Sequence, residues 1–423
     1  MAALTDGVST IAQPLFSLDT QSCAAACRVL GAEISEEHNS KGCLTGWTVR
    51  GHKPGNTEIL QSLIDAGNSG TTLFFTIAAA ALLSQKVTII GDRQIAQRSA
   101  EPLLDALADL GVTVTSKDGY TPITICGPIK GGRTRLSCMT SQYLSAMLIA
   151  APLAQKNTII EIDVSLLNEK PYADMTLSYL KSQGLYGKAA GDSKITGNAD
   201  YSFFRIQGGN VYTPMNGPVP GDFSSAAFPA AAAVLSGGKA TLYGLDPGDT
   251  QGDKIFFEYL TQMGCEVQWK QKDNGWEVTV VRTRPLLGGT FDLNAAPDLL
   301  PIMAVLGAFA AGETKLYNVE HARIKETDRI AVMAGELRKL FAGVNNFRCE
   351  EKPDGLIIQG AGSSIDIAAC SDTAVTLDGR GDHRIVMALS CAVLGLPAGT
   401  GPVTVNETEA ADVTFPGFFE LIQ

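Results

Sequence analysis

Five stretches of this chain are apolar on nearly every side of a helical turn: residues 70–83, 141–153, 224–235, 296–311 and 383–396. A helix without a polar face must be covered by other structure, so each is expected to be buried. All are shorter than the roughly 20 apolar residues that cross a bilayer. Each opens on a polar or glycine-rich turn: Gly67-Asn68-Ser69-Gly70-Thr71, Thr140-Ser141-Gln142, Gly221-Asp222-Phe223-Ser224-Ser225, Asn294-Ala295-Ala296-Pro297-Asp298 and Gly381-Asp382-His383-Arg384. Such residues cap helices in any protein. If the buried helices run parallel, however, their positive ends converge on an anion site.

Between these stretches a second grammar recurs. Near Val8, Val87, Thr158, Ala240, Thr314 and Val403 a short strand pattern rich in Thr, Val and Ile passes through a polar turn into an amphipathic helix. The spacing is about 70 to 90 residues, the size of a small α/β subdomain rather than a solenoid repeat. Hairpin patterns fill the intervals at residues 112–126, turning at Asp118-Gly119, and at residues 267–281, turning at Asn274-Gly275. The sequence therefore predicts α/β units, each a sheet laid over one central helix. The joint richest in Pro and Gly is residues 213–222, which divides the chain into domains 1–220 and 221–423. Residues 1–4 look like the last turn of a helix, as though the chain began inside a unit.

At 423 residues the chain is long enough for two or three domains with sizeable cores. A net charge of −11 argues against nucleic acid as a partner while leaving room for a local cationic pocket. The nine cysteines show no framework or zinc spacing, and the start lacks the pattern of a signal peptide, so a reducing cytoplasm is expected. Cys23 and Cys27 are close, but in an alanine-rich helical pattern where two small thiols read as core.

The densest charge lies at Lys325, Glu326, Asp328 and Arg329, ahead of a helix whose apolar positions are Ile330, Met333, Leu337, Leu340 and Phe341. Taken with the five helix starts and with Lys170-Pro171-Tyr172, this cluster completes an ordered set of motifs. That set resembles the enolpyruvyl transferases over essentially the whole chain, and specifically those acting on shikimate 3-phosphate. The resemblance implies a two-domain inside-out α/β barrel of six βαβαββ repeats, three per domain, closing over shikimate 3-phosphate and phosphoenolpyruvate. It also implies a monomer that uses no metal or organic cofactor and passes through a noncovalent tetrahedral intermediate.

Such chemistry needs a base for a hydroxyl, an acid for a vinyl carbon, and cations for carboxylate and phosphate. By resemblance, Asp298 is the base and Glu326 the proton-transfer group. His383 orients or exchanges a proton near Glu326, and Lys325 contacts both the acceptor and developing charge. Arg98, Arg329 and Arg384 would hold phosphoenolpyruvate, Arg being suited to forked contacts with its anionic groups. Ser141, Gln142 and Tyr172 fall on the acceptor side, with Thr140 a donor toward its phosphate, and Asn68 is a further substrate-binding position. Members acting on UDP-N-acetylglucosamine carry a reactive cysteine in a mobile loop, whereas residues 91–101 hold Arg98 and no cysteine.

The chain departs from the family pattern at four places. The opening Gly-Ser-Lys loop, with its following Ser and Asn-Arg, is absent, as expected of a chain that begins after it. Phe74 stands in place of an arginine, Val413 of a lysine and Glu169 of a serine. Each charge-assisted bond lost costs about 1.5 to 3 kcal/mol. These departures leave open a truncated enzyme, a relative with a less anionic acceptor, and a noncatalytic descendant that binds an anion.

Overall fold

The computed structural model describes residues 1–54, 59, 61–187, 192–273, 275–362 and 374–423. The chain divides into two compact units, Met1–Val219 and Pro220–Gln423, each with its own hydrophobic core.

In the first unit the chain runs β1 (Gly7–Ala12), α1 (Leu18–Val29), β2 (Glu33–His38), β3 (Leu44–Gly51), β4 (Leu63–Asp65), α2 (Gly70–Ala80), β5 (Val87–Ile90) and α3 (Glu101–Asp109). It continues through β6 (Thr113–Lys117), β7 (Tyr120–Cys126), β8 (Gly132–Ser137), α4 (Ser141–Ala150), β9 (Thr158–Asp163), α5 (Lys170–Ser182), β10 (Ile195–Gly197), β11 (Phe203–Ile206) and β12 (Asn216–Pro218). The second unit holds α6 (Phe223–Leu235), β13 (Lys239–Tyr243), α7 (Ile255–Gln262), β14 (Glu266–Lys272), β15 (Gly275–Val281), β16 (Thr290–Asp292) and α8 (Leu300–Phe309). Then come β17 (Glu313–Tyr317), α9 (Arg329–Leu340), β18 (Arg348–Lys352), β19 (Gly355–Gln359), β20 (Val375–Asp378), α10 (His383–Leu394), β21 (Val403–Asn406) and α11 (Phe418–Ile422).

One sheet pattern recurs. In β4-β5-β7-β6, β8-β9-β11-β10 and β16-β17-β19-β18, the first pair is parallel and the other pairs antiparallel. Each is a βαβαββ unit: the parallel pair requires a crossover helix, and the last two strands form a hairpin. Between β6 and β7 the turn residues Asp118 and Gly119 both have positive φ, 53° and 78°, as a two-residue hairpin turn requires. Asn274, expected to turn the next hairpin, lies outside the described residues.

The first sheet, β12-β1-β3-β2, has the same order, but its parallel strand comes from residues 216–218. Asn216 Oδ1 fixes this register by accepting from Thr10 N at 2.9 Å and Thr10 Oγ1 at 2.7 Å. The sheet β13-β15-β14 shows only the antiparallel part and β20-β21 only the parallel pair, among the described residues.

The all-round apolar helices are the cores. Every residue of α8 is buried, and in α4 only Gln142 and Ile149 are not. Two expected helices differ. Residues 1–4 contain a 3₁₀ turn, Ala2–Leu4, and the last repeat has a 3₁₀ segment, Thr408–Val413, followed by the five-residue α11. Pro416 and Gly417 interrupt the latter run; Gly417 lies at φ 82°, a conformation that ends helical continuity.

Candidate active site

In the first unit, Ser69 caps α2 by accepting from Thr72 N at 3.1 Å, and Thr140 caps α4 by accepting from Gln142 N. Gln142 Nε2 donates to Thr71 Oγ1 at 2.8 Å, so the two helix starts lie side by side. A β-carbon on Gly70 would come within 2.2 Å of Arg98 Nη1 and 3.6 Å of Gln142 Oε1. Glycine at this position therefore admits the guanidinium to the start of α2. Asn68 is tied to the following loop, its amide donating to Asp92 Oδ2 and, at 2.6 Å, to Gln94 Oε1. Tyr172 lies half-buried in the first turn of α5. The unit thus gathers Arg98, Thr140, Ser141 and Gln142 at two adjacent positive helix ends.

The family-pattern departures have structural fillings. Phe74 is buried and meets Tyr143 edge-on at 5.0 Å, an aromatic contact within the core. Val413 is buried at the end of the 3₁₀ segment. Glu169 is also buried, and its carboxylate sits at the start of α4.

In the second unit the organising group is the guanidinium of Arg329, which is 1% exposed. Its Nη1 donates to Asp298 at 2.7 Å, Nη2 to Glu326 at 2.6 Å, and Nε to Asp382 at 2.8 Å, with a further Nη2 contact to Asp382 at 3.2 Å. A fork of fixed donors can serve several carboxylates at once, as a lysine cannot. Arg329, expected to hold phosphoenolpyruvate, here makes its contacts with three carboxylates of its own unit. Arg384 lies closer to the surface, pairing with Asp298 Oδ2 at 3.0 Å and donating to Ser224 Oγ at 2.5 Å. These contacts bring together the starts of α6 and α10 and the 3₁₀ turn Pro297–Leu299 that leads into α8.

Burial would push the Asp298 carboxyl up, but Arg384, Lys325 and Arg329 outweigh it and hold the group well below the usual carboxylate range. His383 is 4% exposed and, among the described residues, its Nδ1 has no hydrogen-bond partner. Burial lowers its pKa to about 4, against the pull of Glu326, so the ring is neutral at pH 7. Three carboxylates, Asp298, Glu326 and Asp382, face three cations, Lys325, Arg329 and Arg384. The cluster is balanced, and a substrate anion must compete with its own carboxylates for positive charge.

Sequence reasoning assigned no role to Asp382 or Ser224. Asp382 is fully buried, caps α10 through Arg384 N at 2.9 Å, and accepts from Thr327 as well as Arg329. Its signal was an acid heading an otherwise apolar helix, which also reads as an ordinary cap. Among the described residues, no group of three or more His, Cys, Asp or Glu side chains is disposed to hold a metal ion, and no helix is long and apolar enough to cross a membrane.

An α/β chain of two units, with carboxylates and arginines gathered at helix starts, has the charged groups that transfer chemistry on anionic substrates requires. A family model for EPSP synthase (3-phosphoshikimate 1-carboxyvinyltransferase) matches residues 1–422, and the chain belongs to that family. It is 43% identical to the 3-phosphoshikimate 1-carboxyvinyltransferase of Acetivibrio thermocellus, over 100% of this chain and 90% of the relative. It is 38% identical to that of Ruminiclostridium cellulolyticum, over 100% and 91%. An EPSP synthase structure from Acinetobacter baumannii superposes with a TM-score of 0.75, at 24% identity, covering 99% of this chain and 90% of that one, a likeness of fold.

Proposed function

We propose that this chain is a 3-phosphoshikimate 1-carboxyvinyltransferase of the shikimate pathway. It transfers the carboxyvinyl group of phosphoenolpyruvate to the 5-hydroxyl of shikimate 3-phosphate and releases phosphate. The observation that carries the reading is the gathering of Asp298, Glu326 and Arg384 around one buried guanidinium. Family membership over residues 1–422 supports it and disfavours a noncatalytic descendant.

In this reading Thr140, Ser141, Gln142 and Tyr172 bind the acceptor, with Asn68 holding the neighbouring loop. Arg98 and Arg384 take the anionic groups of phosphoenolpyruvate, and Arg329 orders the acids. Asp298 is a weak base while Arg384 pairs with it. When phosphoenolpyruvate draws Arg384 away, the carboxylate loses a cation and its proton affinity rises. Asp298 then takes the hydroxyl proton as the oxygen attacks. Glu326, in its protonated form, delivers a proton to the vinyl carbon, the neutral His383 ring sharing that path, to give the tetrahedral intermediate. The C–O bond to phosphate then breaks as a methyl proton returns to Glu326 and the double bond re-forms, Lys325 stabilising the developing charge. The same reading has the protein act as a monomer in the cytoplasm without nucleic-acid partners; eight free cysteines among the described residues suit a reducing compartment.

The test is phosphate release from phosphoenolpyruvate and shikimate 3-phosphate by the purified protein. No turnover, together with no thermal protection by shikimate 3-phosphate, overturns the reading. Arg384→Ala is expected to raise KM for phosphoenolpyruvate by roughly tenfold or more, the scale of one charge-assisted bond, with a much smaller change for shikimate 3-phosphate. Equal losses for both substrates would contradict the assignment of Arg384.

A further inference from the structure

Glu169 stands at the N-cap of α5 with left-handed backbone, φ 58° and ψ 37°, yet its side chain makes no cap to that helix. It reaches back instead to the start of α4. There a single carboxylate oxygen, Oε2, accepts from Ser141 N at 3.3 Å, Ser141 Oγ at 3.0 Å and Thr140 Oγ1 at 3.2 Å. Glu169 is 2% exposed and Ser141 1%, so their contact is shielded from bulk water, while Thr140 lies half-buried beside it. A helix start with two hydroxyls beside it is a general anion cradle. In this chain the anion in the cradle is the chain's own.

An outside anion can use the same three donors only after the carboxylate leaves, because two negative groups at hydrogen-bond range of one another repel strongly. We propose that Glu169 is a specificity-determining residue for the acceptor: its carboxylate holds the α4 cradle against the acceptor's phosphate monoester, which binds by displacing it. This rests on the reading that Thr140 and Ser141 receive shikimate 3-phosphate. Two consequences follow from the displacement. The apparent affinity for a phosphorylated acceptor is reduced by the fraction of molecules in which the cradle is open. An acceptor without phosphate is indifferent to Glu169, since it does not contend for those donors.

The experiment is calorimetric titration of the full chain, Glu169→Ser and Glu169→Gln with shikimate 3-phosphate and, separately, with shikimate. Glu169→Ser is expected to tighten shikimate 3-phosphate about tenfold or more, as expected when a site closed nine-tenths of the time is opened. Glu169→Gln, which keeps an accepting oxygen but no charge, falls between, and shikimate is unchanged throughout. Unchanged or weakened shikimate 3-phosphate binding in a folded Glu169→Ser protein overturns the inference. So does equal tightening of shikimate, which would place the effect away from the phosphate. Thermal unfolding checks the fold of both variants, and if the serine variant does not fold, the glutamine variant is judged by the same criteria. If neither parent nor variant binds shikimate 3-phosphate, the acceptor assignment itself fails, and this inference falls with it.

Discussion

Arg329 and its three carboxylates show how one buried charge can organise a whole cluster. The guanidinium is almost wholly removed from water, and only the acids around it compensate for that desolvation. Replacing it with methionine would leave Asp298, Glu326 and Asp382 facing an apolar side chain. Arg329→Met is expected to lose about 3 to 5 kcal/mol of folding stability, the usual cost of breaking a buried ion pair from one side. Urea unfolding measures this, and a loss under about 1 kcal/mol would show that the acids re-solvate freely. Arg329→Lys should not restore the loss, since an ammonium lacks the fork that serves three partners. At this scale the sequence was partly legible. The crowding of Lys325 to Arg329 announced a charged site, but which arginine faces inward depends on Asp382, 53 residues further on.

Among the elements, the buried helices were the most legible, because an all-round apolar stretch has one physical outcome. Strand order was less so: that the fourth strand of a βαβαββ unit sits between the second and third follows from hairpin placement, and periodicity does not reveal it. The C-terminal segment misled for a related reason, since its apolar residues suit a helix while Pro416 and Gly417 break one. On α1 the residues Cys23 and Cys27 are one turn apart. Rather than inert core, Cys23 is exposed, and a hydrogen bond from Cys27 lowers its pKa to about 7, while Cys27 is raised well above its ordinary value. Iodoacetamide is therefore expected to label Cys23 first, with a rate that rises through about pH 7. Cys27→Ala removes the donor and should shift that rise toward pH 9.0. Mass spectrometry of the labelled peptide reads both results, and an unshifted profile would mean that another group depresses the thiol.

For the whole molecule, His383 couples folding to acidity. Its folded pKa is about 4 against an ordinary 6.5, so between those values the unfolded chain binds a proton that the folded chain does not. Stability from this group is complete above pH 6.5 and falls as the pH drops toward 4, by roughly 3 kcal/mol in all. Denaturant unfolding at pH 7 and 4.5 should show the loss, and His383→Gln should flatten it across that interval. A slope that persists in His383→Gln would assign the effect to the neighbouring acids.

The pairing of β12 with β1 has a consequence for how the protein is made. Ala12 and Pro218 sit opposite each other in the sheet, so β1 waits for a partner strand 206 residues further along the chain before its parallel neighbour arrives. That layer is thus closed only when residues 216–218 have been made, and a nascent chain halted short of residue 216 keeps one border of it exposed to chaperones or to a like border on another chain.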